Sequence, residues 1–261
     1  MSNKGILYGV SLGPGDPGFI TRRAWEVLRQ DTVWAYPIRN KKSESFALGI
    51  AQRAGLNLPK QHTPLIFPMT HDTELLAKYW LQAAQTALEF LLRGQDVSFL
   101  VEGDASTYST FGYLARTVAA LDPEIKIEII PGVSSFHAAA ARLQSSLADQ
   151  DDTVAIIPAA YGIPTIERLL ADFDTLVLLK VKPLLDDIID LLEQHNLLEH
   201  SYFVEKAGTP NERVIRDVRK LRGQTVNYLS LLMVKNPQRQ RSEMIRGCRK
   251  KSSNELVEGE A

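Results

Sequence analysis

Cysteine is nearly absent from this chain, Cys248 being the single one among 261 residues. One thiol cannot close an intramolecular disulfide, and it excludes thiolate zinc clusters and paired-cysteine redox chemistry. Excess charge is missing too. Lys+Arg total 30 against 31 Asp+Glu, so no global field draws the protein to nucleic acid or to an anionic membrane. No apolar run approaches the ~20 residues of a membrane-spanning helix. Asp, Glu, Lys or Pro interrupts every long candidate. The five histidines, His62, His71, His137, His195 and His200, show no HxxxH or HxH spacing, and no protein-held metal is expected. The segment Met1 to Val10 lacks the basic, apolar and small-residue succession of a secretory leader. A soluble cytoplasmic protein with neither nucleic-acid nor membrane partner is the resulting expectation.

What is present reads as an ordinary globular chain, 44% hydrophobic and 23% charged, long enough for two domains. Short runs rich in Val, Ile and Leu predict strands at Ile6–Leu12, Thr32–Tyr36, His62–Phe67, Val97–Val101 and Ile125–Ile130. Helical spacing separates them, most clearly through Leu75, Leu76, Tyr79, Trp80, Ala83, Ala87 and Leu91. Continuous apolar strands alternating with helices point to a mainly parallel five-stranded sheet covered on both faces. A second set follows Pro131-Gly132, at Val154–Ile157, Leu176–Leu179, Tyr202–Glu205, Val214–Val218 and Asn227–Met233. Its later members lie close together, with room for few helices, so a mixed sheet is expected. The predicted class is α/β with two αβα domains, residues 1–132 and 133–235, followed by a polar, loosely attached tail over 236–261. The tail's Arg249-Lys250-Lys251 cluster reads as solvated.

Gly13-Pro14-Gly15-Asp16-Pro17-Gly18 matches G-x-G-x-x-G after a predicted strand, and a helix is predicted from Phe19 to Gln30. That context suits a dinucleotide fingerprint. The intervening residues do not. A pyrophosphate cradle works through backbone N–H donors, which Pro14 and Pro17 lack, and Asp16 places negative charge where the diphosphate would approach. The second strand ends in Tyr36-Pro37 with no acid for a ribose hydroxyl. NAD or FAD binding is not expected here.

Val10-Ser11-Leu12-Gly13-Pro14-Gly15-Asp16-Pro17 instead resembles the first motif of the tetrapyrrole (class III) methyltransferases. Four more segments follow in that family's order: Val101-Glu102-Gly103-Asp104-Ala105-Ser106-Thr107-Tyr108-Ser109-Thr110, Ile130-Pro131-Gly132-Val133-Ser134-Ser135, Leu178-Leu179-Lys180-Val181, and Glu205 through Val214. The resemblance runs from about Gly5 to Met233. The continuation Ser106 through Phe111, the segment Pro131 through Phe136 with Ala138–Ala141, and Glu205-Lys206-Ala207-Gly208 look like the branch acting at C20 of precorrin-2. They differ from the phenylalanine- and glycine-rich pattern of the uroporphyrinogen methyltransferases. One position departs from the family, which has proline after Gly-Asp where this chain has Ala105. A less restrained loop is expected there.

The resemblance implies S-adenosylmethionine as cofactor, folded in a cleft between the domains, a tetrapyrrole substrate and a homodimer. Carried over by motif, Pro14, Glu102, Gly103, Asp104 and Thr107 contact the cofactor from the first domain. Ser134 and Ser135 join them, with helix capping as the alternative role. Lys180, Val181, Ala207 and Gly208 complete the site from the second domain, with sheet packing as the rival. Methyl transfer from a sulfonium needs alignment and exclusion of water more than an activated nucleophile, and no Ser or Cys nucleophile is expected. Arg22, Arg23 and Arg39 are candidates for substrate carboxylates, or else solvated surface groups. His137 and Tyr108 are read either as proton carriers or as packed structural residues. Methylation at another tetrapyrrole position and a non-catalytic cofactor-binding domain stay open as alternatives.

Overall fold

The computed structural model describes residues 4–240. Its first part runs β1 (Ile6–Ser11), α1 (Arg22–Leu28), β2 (Val33–Ile38), α2 (Phe46–Arg53), β3 (His62–Ile66), α3 (Thr73–Leu91), β4 (Val97–Val101), α4 (Phe111–Leu121) and β5 (Lys126–Ile130). These strands form one parallel sheet in the order β3-β2-β4-β1-β5. Successive side chains of a strand point to opposite faces, and here both faces are covered. Leu7, Ala35, Val97 and Phe99 pack beneath α3 and α4, while Tyr8, Trp34 and Leu100 pack beneath α1 and α2. That is why the strands read as unbroken apolar runs. Phe99 meets Phe67 edge-on at 5.7 Å between centroids, an arrangement adding about 0.5–1.5 kcal/mol to simple burial.

The helix α3 follows from its sequence in the same way. Asp72 caps it, its carboxylate accepting from the N–H groups of Glu74 and Leu75, both at 3.0 Å. Ala83, Ala84, Ala87, Leu88 and Leu91 then form the buried stripe.

The second sheet comprises β6 (Val154–Pro158), β7 (Thr175–Leu179), β8 (Ser201–Glu205), β9 (Arg213–Ile215) and β10 (Ser230–Lys235), in the order β6-β7-β10-β8-β9. Only β6 and β7 run parallel; the other pairs are antiparallel, giving the mixed sheet expected. On one face Leu176, Leu178, Phe203 and Leu232 meet α6 (Ile163–Asp172) and α7 (Leu185–Gln194). On the other, Val177, Val204, Leu231 and Met233 meet Phe136, Ala139 and Leu143 of α5 (Ser135–Leu143). Phe19, from the loop after β1, packs into that second face.

Three expectations need correction. The helix predicted over Phe19–Gln30 is a short 3-10 turn at Pro17–Phe19 and then α1, because Asp16 caps the turn, Ile20 is extended, and Thr21 caps anew. The strand predicted at Val214–Val218 stops at Ile215, and Val218 opens a 3-10 turn. The one predicted from Asn227 begins at Ser230, since the Asn227 side chain turns the chain by accepting from the Leu229 N–H at 2.9 Å.

The segment from Asn236 is also tied down at its start. The Asn236 N–H donates to the Asp174 carbonyl at 2.8 Å and its amide to the Leu170 carbonyl at 2.6 Å. Arg239 donates to the Thr153 hydroxyl at 2.6 Å and pairs with the buried Asp174 carboxylate. Cys248 and Arg249-Lys250-Lys251 lie outside the described residues. Among the described residues no helix is long and apolar enough to cross a membrane, and no side-chain group is set to hold a metal ion.

Candidate active site

In an open parallel sheet, ligands bind beyond the carboxyl ends of the strands. Here β4, β1 and β5 are neighbours, so their three carboxyl-end loops meet. The Ser11 hydroxyl ties them. It donates to the Ile130 carbonyl of β5 at 2.6 Å and accepts the Ala105 N–H of the β4 loop at 2.8 Å, fully buried. A proline at position 105 would have no N–H to give. The departure from the family pattern therefore does not loosen the loop as expected; it adds an anchor.

Gly13 and Gly103 pair as an isolated antiparallel bridge, with N–H to carbonyl distances of 3.2 and 2.7 Å. Gly132 closes on them: a Cβ there would stand 2.4 Å from the Ser11 Cβ and 3.0 Å from the Gly103 carbonyl oxygen. Only glycine permits that approach. Asp104 locks the arrangement. One carboxylate oxygen accepts the Ser106 N–H at 2.9 Å, the Ser106 hydroxyl, and the Thr107 hydroxyl at 3.3 Å; the other accepts the Gly132 N–H at 2.8 Å. Burial alone would raise its pKa, but these hydrogen bonds outweigh it and hold the carboxyl below the usual range. Asp104 and Thr107 thus shape the loop through each other.

Gly103 and Glu102 face outward. Gly103 has φ +74°, and a Cβ built on it would meet no heavy atom within 4 Å. Glu102 is exposed at the carboxyl end of β4. The surrounding protein pushes its carboxyl above the usual range. No hydrogen bond or ion pair engages that carboxylate among the described residues.

The other wall comes from the second sheet. A Cβ on Gly15 would stand 2.5 Å from the Thr209 methyl and 3.0 Å from the Ala207 carbonyl oxygen, and one on Gly208 would stand 2.9 Å from the Asp16 nitrogen. The loop after β1 and the loop after β8 therefore touch backbone to backbone. At the far edge of the sheet, the Tyr108 hydroxyl donates to the Ile156 carbonyl of β6 at 2.8 Å. Tyr108 is a tie between the two halves, made from a strained backbone at φ +49°.

The remaining predicted residues separate into two sets. Pro14 is buried in the β1 loop beside Gly15. Ser134 is buried and precedes α5, but its hydroxyl does not cap the helix, and Ser135 is half-buried in the first turn. The Val181 side chain lies in the core beneath α6 and α7, so only its backbone is available to a ligand. Ala207 packs its methyl on the α5 side. Lys180 is half-buried at the end of β7. Of the arginines, Arg22 pairs with Glu26 at 2.9 Å and Arg23 with Glu128 at 3.2 Å, while Arg39 is exposed beyond β2. His137 is exposed beside Phe136. The role of Ser11 had no sequence signal, because a lone serine ending an apolar strand looks like any other.

A cavity of about 780 Å³ opens at the opposite, amino edge of the first sheet, lined by Lys4, Asp96, Glu124 and Lys126 among others. It is a shallow surface of opposed charges, with Lys4 already paired to Asp122 and Glu124 at 2.6 and 2.7 Å. The loops at the carboxyl edge are where backbone and side-chain groups converge.

Two α/β sheets whose carboxyl-edge loops meet in glycine-bearing bends define a small-molecule binding class. The chain belongs to the Tetrapyrrole (Corrin/Porphyrin) Methylases, the family matching residues 6–221. It is 32% identical over 231 residues to cobalt-precorrin-2 C(20)-methyltransferase of Salmonella typhimurium, covering 88% of this chain and 96% of that protein. A probable cobalt-precorrin-2 C(20)-methyltransferase of Methanocaldococcus jannaschii is 30% identical over 88% of this chain and 95% of its own length. Cobalamin biosynthesis protein CobIJ of Mycobacterium tuberculosis is 30% identical over 90% of this chain, which spans 46%, about half, of that longer relative. Among solved structures, a cobalt precorrin-4 methyltransferase superposes with a TM-score of 0.64 at 23% identity, over 88% of this chain and 94% of that one. A uroporphyrin-III C-methyl transferase from Thermus thermophilus, complexed with S-adenyl homocysteine, gives 0.60 at 21%, over 88% and 97%. These two share the fold.

Proposed function

We propose that the chain is an S-adenosylmethionine-dependent methyltransferase acting at C20 of precorrin-2, or of its cobalt-loaded counterpart, in corrin ring synthesis. The relatives named for that position support the substrate, and the glycine-bearing bends support the cofactor class. The observation that carries the reading is the Gly13–Gly103 bend, on whose open side a Cβ built on Gly103 would meet no heavy atom within 4 Å. Its surroundings suit a cationic nucleoside better than a diphosphate. Pro14 and Pro17 have no N–H to offer, Asp16 spends its carboxylate on the Gly18 N–H at 2.8 Å, and Glu102 beside the bend has no ion-pair partner among the described residues.

When bound, S-adenosylmethionine supplies an electrophilic methyl group on a sulfonium. The protein's part is positioning, which can lower a barrier by roughly 7–11 kcal/mol. Gly103 and the β1 loop cradle the cofactor, with Ser134 and Ser135 offering hydroxyls from the start of α5. Asp104, Thr107 and Ser11 keep the cradle rigid, and the backbone at Lys180-Val181 and Ala207-Gly208 closes the second wall. We take residues 1–132 and 133–235 as the two domains of a cytoplasmic homodimer.

S-Adenosylmethionine should raise the melting temperature, by the equivalent of about 2.7 kcal/mol at a hundredfold excess over Kd, and NADH should not. The reverse result would overturn the cofactor assignment. Methyl-labelled cofactor with metal-free and cobalt-loaded precorrin-2, followed by NMR location of the label, tests position and metal preference together. Label at another carbon would replace the C20 reading.

A further inference from the structure

Among the described residues, the non-glycine positions with positive φ are Tyr108, Gln144, Gln150, Lys180, Asn196 and Lys206. Gln144 caps the end of α5 and Asn196 follows α7, where a left-handed residue is routine. The two lysines are different. Each directly follows a strand, Lys180 after β7 at φ +57° and Lys206 after β8 at φ +52°. They flank the start of β10, the Lys180 N–H donating to the Ser230 carbonyl at 3.2 Å and the Lys206 N–H to the Leu229 carbonyl at 2.7 Å. Glycine would sit in both places without the left-handed penalty. Lysine adds a cation there and nothing that the backbone needs.

Their place in the sheet gives that cation a use. The sheet order β6-β7-β10-β8-β9 puts both lysines between two of the contacts that join the halves of the molecule: Tyr108 to Ile156 on β6, and Gly15 to Gly208 just after β8. Neither ammonium has a carboxylate partner among the described residues; the nearest recorded neighbour of the Lys180 nitrogen is the Tyr228 ring, 5.9 Å from its centroid. Both side chains are half-buried. The acidic groups of the adjoining turn are engaged elsewhere: Glu205 accepts from the Asn227 N–H at 2.6 Å, and Glu212 accepts from the Gly208 N–H at 2.6 Å and pairs with Arg142 at 2.9 Å.

We propose that Lys180 and Lys206 form a paired cationic clamp that binds carboxylates of a polycarboxylate tetrapyrrole at the rim of the site. The proposal rests on the functional reading above and names the residues that hold the substrate's side chains. Two separate ammonium groups from the ends of β7 and β8, on either side of β10, match acid side chains projecting from one edge of a macrocycle.

The test uses the full chain and uroporphyrin III, a stable tetrapyrrole with acetate and propionate side chains, as the probe. Its Kd is measured at several salt concentrations, and that of S-adenosylhomocysteine alongside. Lys180→Gly and Lys206→Gly should each weaken uroporphyrin binding roughly tenfold and flatten its salt dependence. The melting temperature should be equal or higher, because the backbone strain is relieved, and any change in S-adenosylhomocysteine affinity should be smaller than that for uroporphyrin and leave its salt dependence unaltered. Lys206→Arg should restore uroporphyrin binding. A purely structural role would lower both stability and the affinity for the two ligands together. Glycine variants that bind uroporphyrin with wild-type affinity and salt slope overturn the clamp alone. A wild-type protein that takes S-adenosylhomocysteine but not uroporphyrin overturns the clamp and the tetrapyrrole reading together.

Discussion

The Ser11 hydroxyl joins three strand ends, so its removal tests whether the cradle is held as described. Ser11→Ala deletes the acceptor 2.8 Å from the buried Ala105 N–H and the donor 2.6 Å from the Ile130 carbonyl. An unpaired buried N–H costs about 1–3 kcal/mol, and losing the second bond adds about 1 kcal/mol. The variant should therefore lose about 2–4 kcal/mol of stability. At roughly 2–4 °C per kcal/mol for a chain of this size, that is ~4–16 °C in Tm. The source of the loss is separable by a double-mutant cycle. Ala105→Pro removes the same N–H, so Ser11→Ala made in that background should cost only about 1 kcal/mol. Urea unfolding of the four proteins gives each difference. A Ser11→Ala cost below ~0.5 kcal/mol, or one equal in both backgrounds, refutes the anchoring role.

Gly103→Arg should leave the protein folded at a cost of about 1–2 kcal/mol, for the left-handed backbone alone, while S-adenosylmethionine binding disappears in calorimetry; retained affinity would remove this bend from the site. Asp104 has a carboxyl pKa below its unfolded value, so its stabilisation is present above the unfolded pKa near 4 and lost as pH falls through the folded one. Asp104→Asn should accordingly lower the melting temperature at pH 7 and lose this deficit under acid, and a deficit unchanged down to the folded pKa would refute the hydrogen-bond account. Glu102 has the opposite sign. Its raised pKa favours the folded state at low pH, and the advantage is lost as pH rises through the folded value, so Glu102→Gln should stabilise the free protein at neutral pH and match wild type in acid. A neutral-pH melting temperature below wild type would show the carboxylate to be paired after all.

The alternation of apolar strands with helical spacing made both sheets legible, because burial on both faces writes itself into consecutive residues of a strand such as Val97–Val101. The mixed character of the second sheet was readable from the short intervals between its last strands. Boundaries were less so where a side chain intervenes: Asp16 and Thr21 split one predicted helix, and Asn227 delayed the last strand. The start of the polar segment after β10 looked unattached because Asn236 and Arg239 are polar. Their partners, Leu170, Thr153 and Asp174, are distant in the chain and invisible to local pattern.

Ordered glycine and proline positions at strand ends were enough, without coordinates, to indicate the family. That follows because backbone donors and allowed φ values belong to residue type. Tertiary structure alone decided what each loop residue does. Asp104 braces Gly132, the Val181 side chain enters the core, the Ala105 N–H anchors on Ser11, and Tyr108 ties its loop to β6. Such roles depend on which distant group lies within about 3 Å of a given atom, and proximity across a fold is settled by strand order, which no local stretch of residues carries.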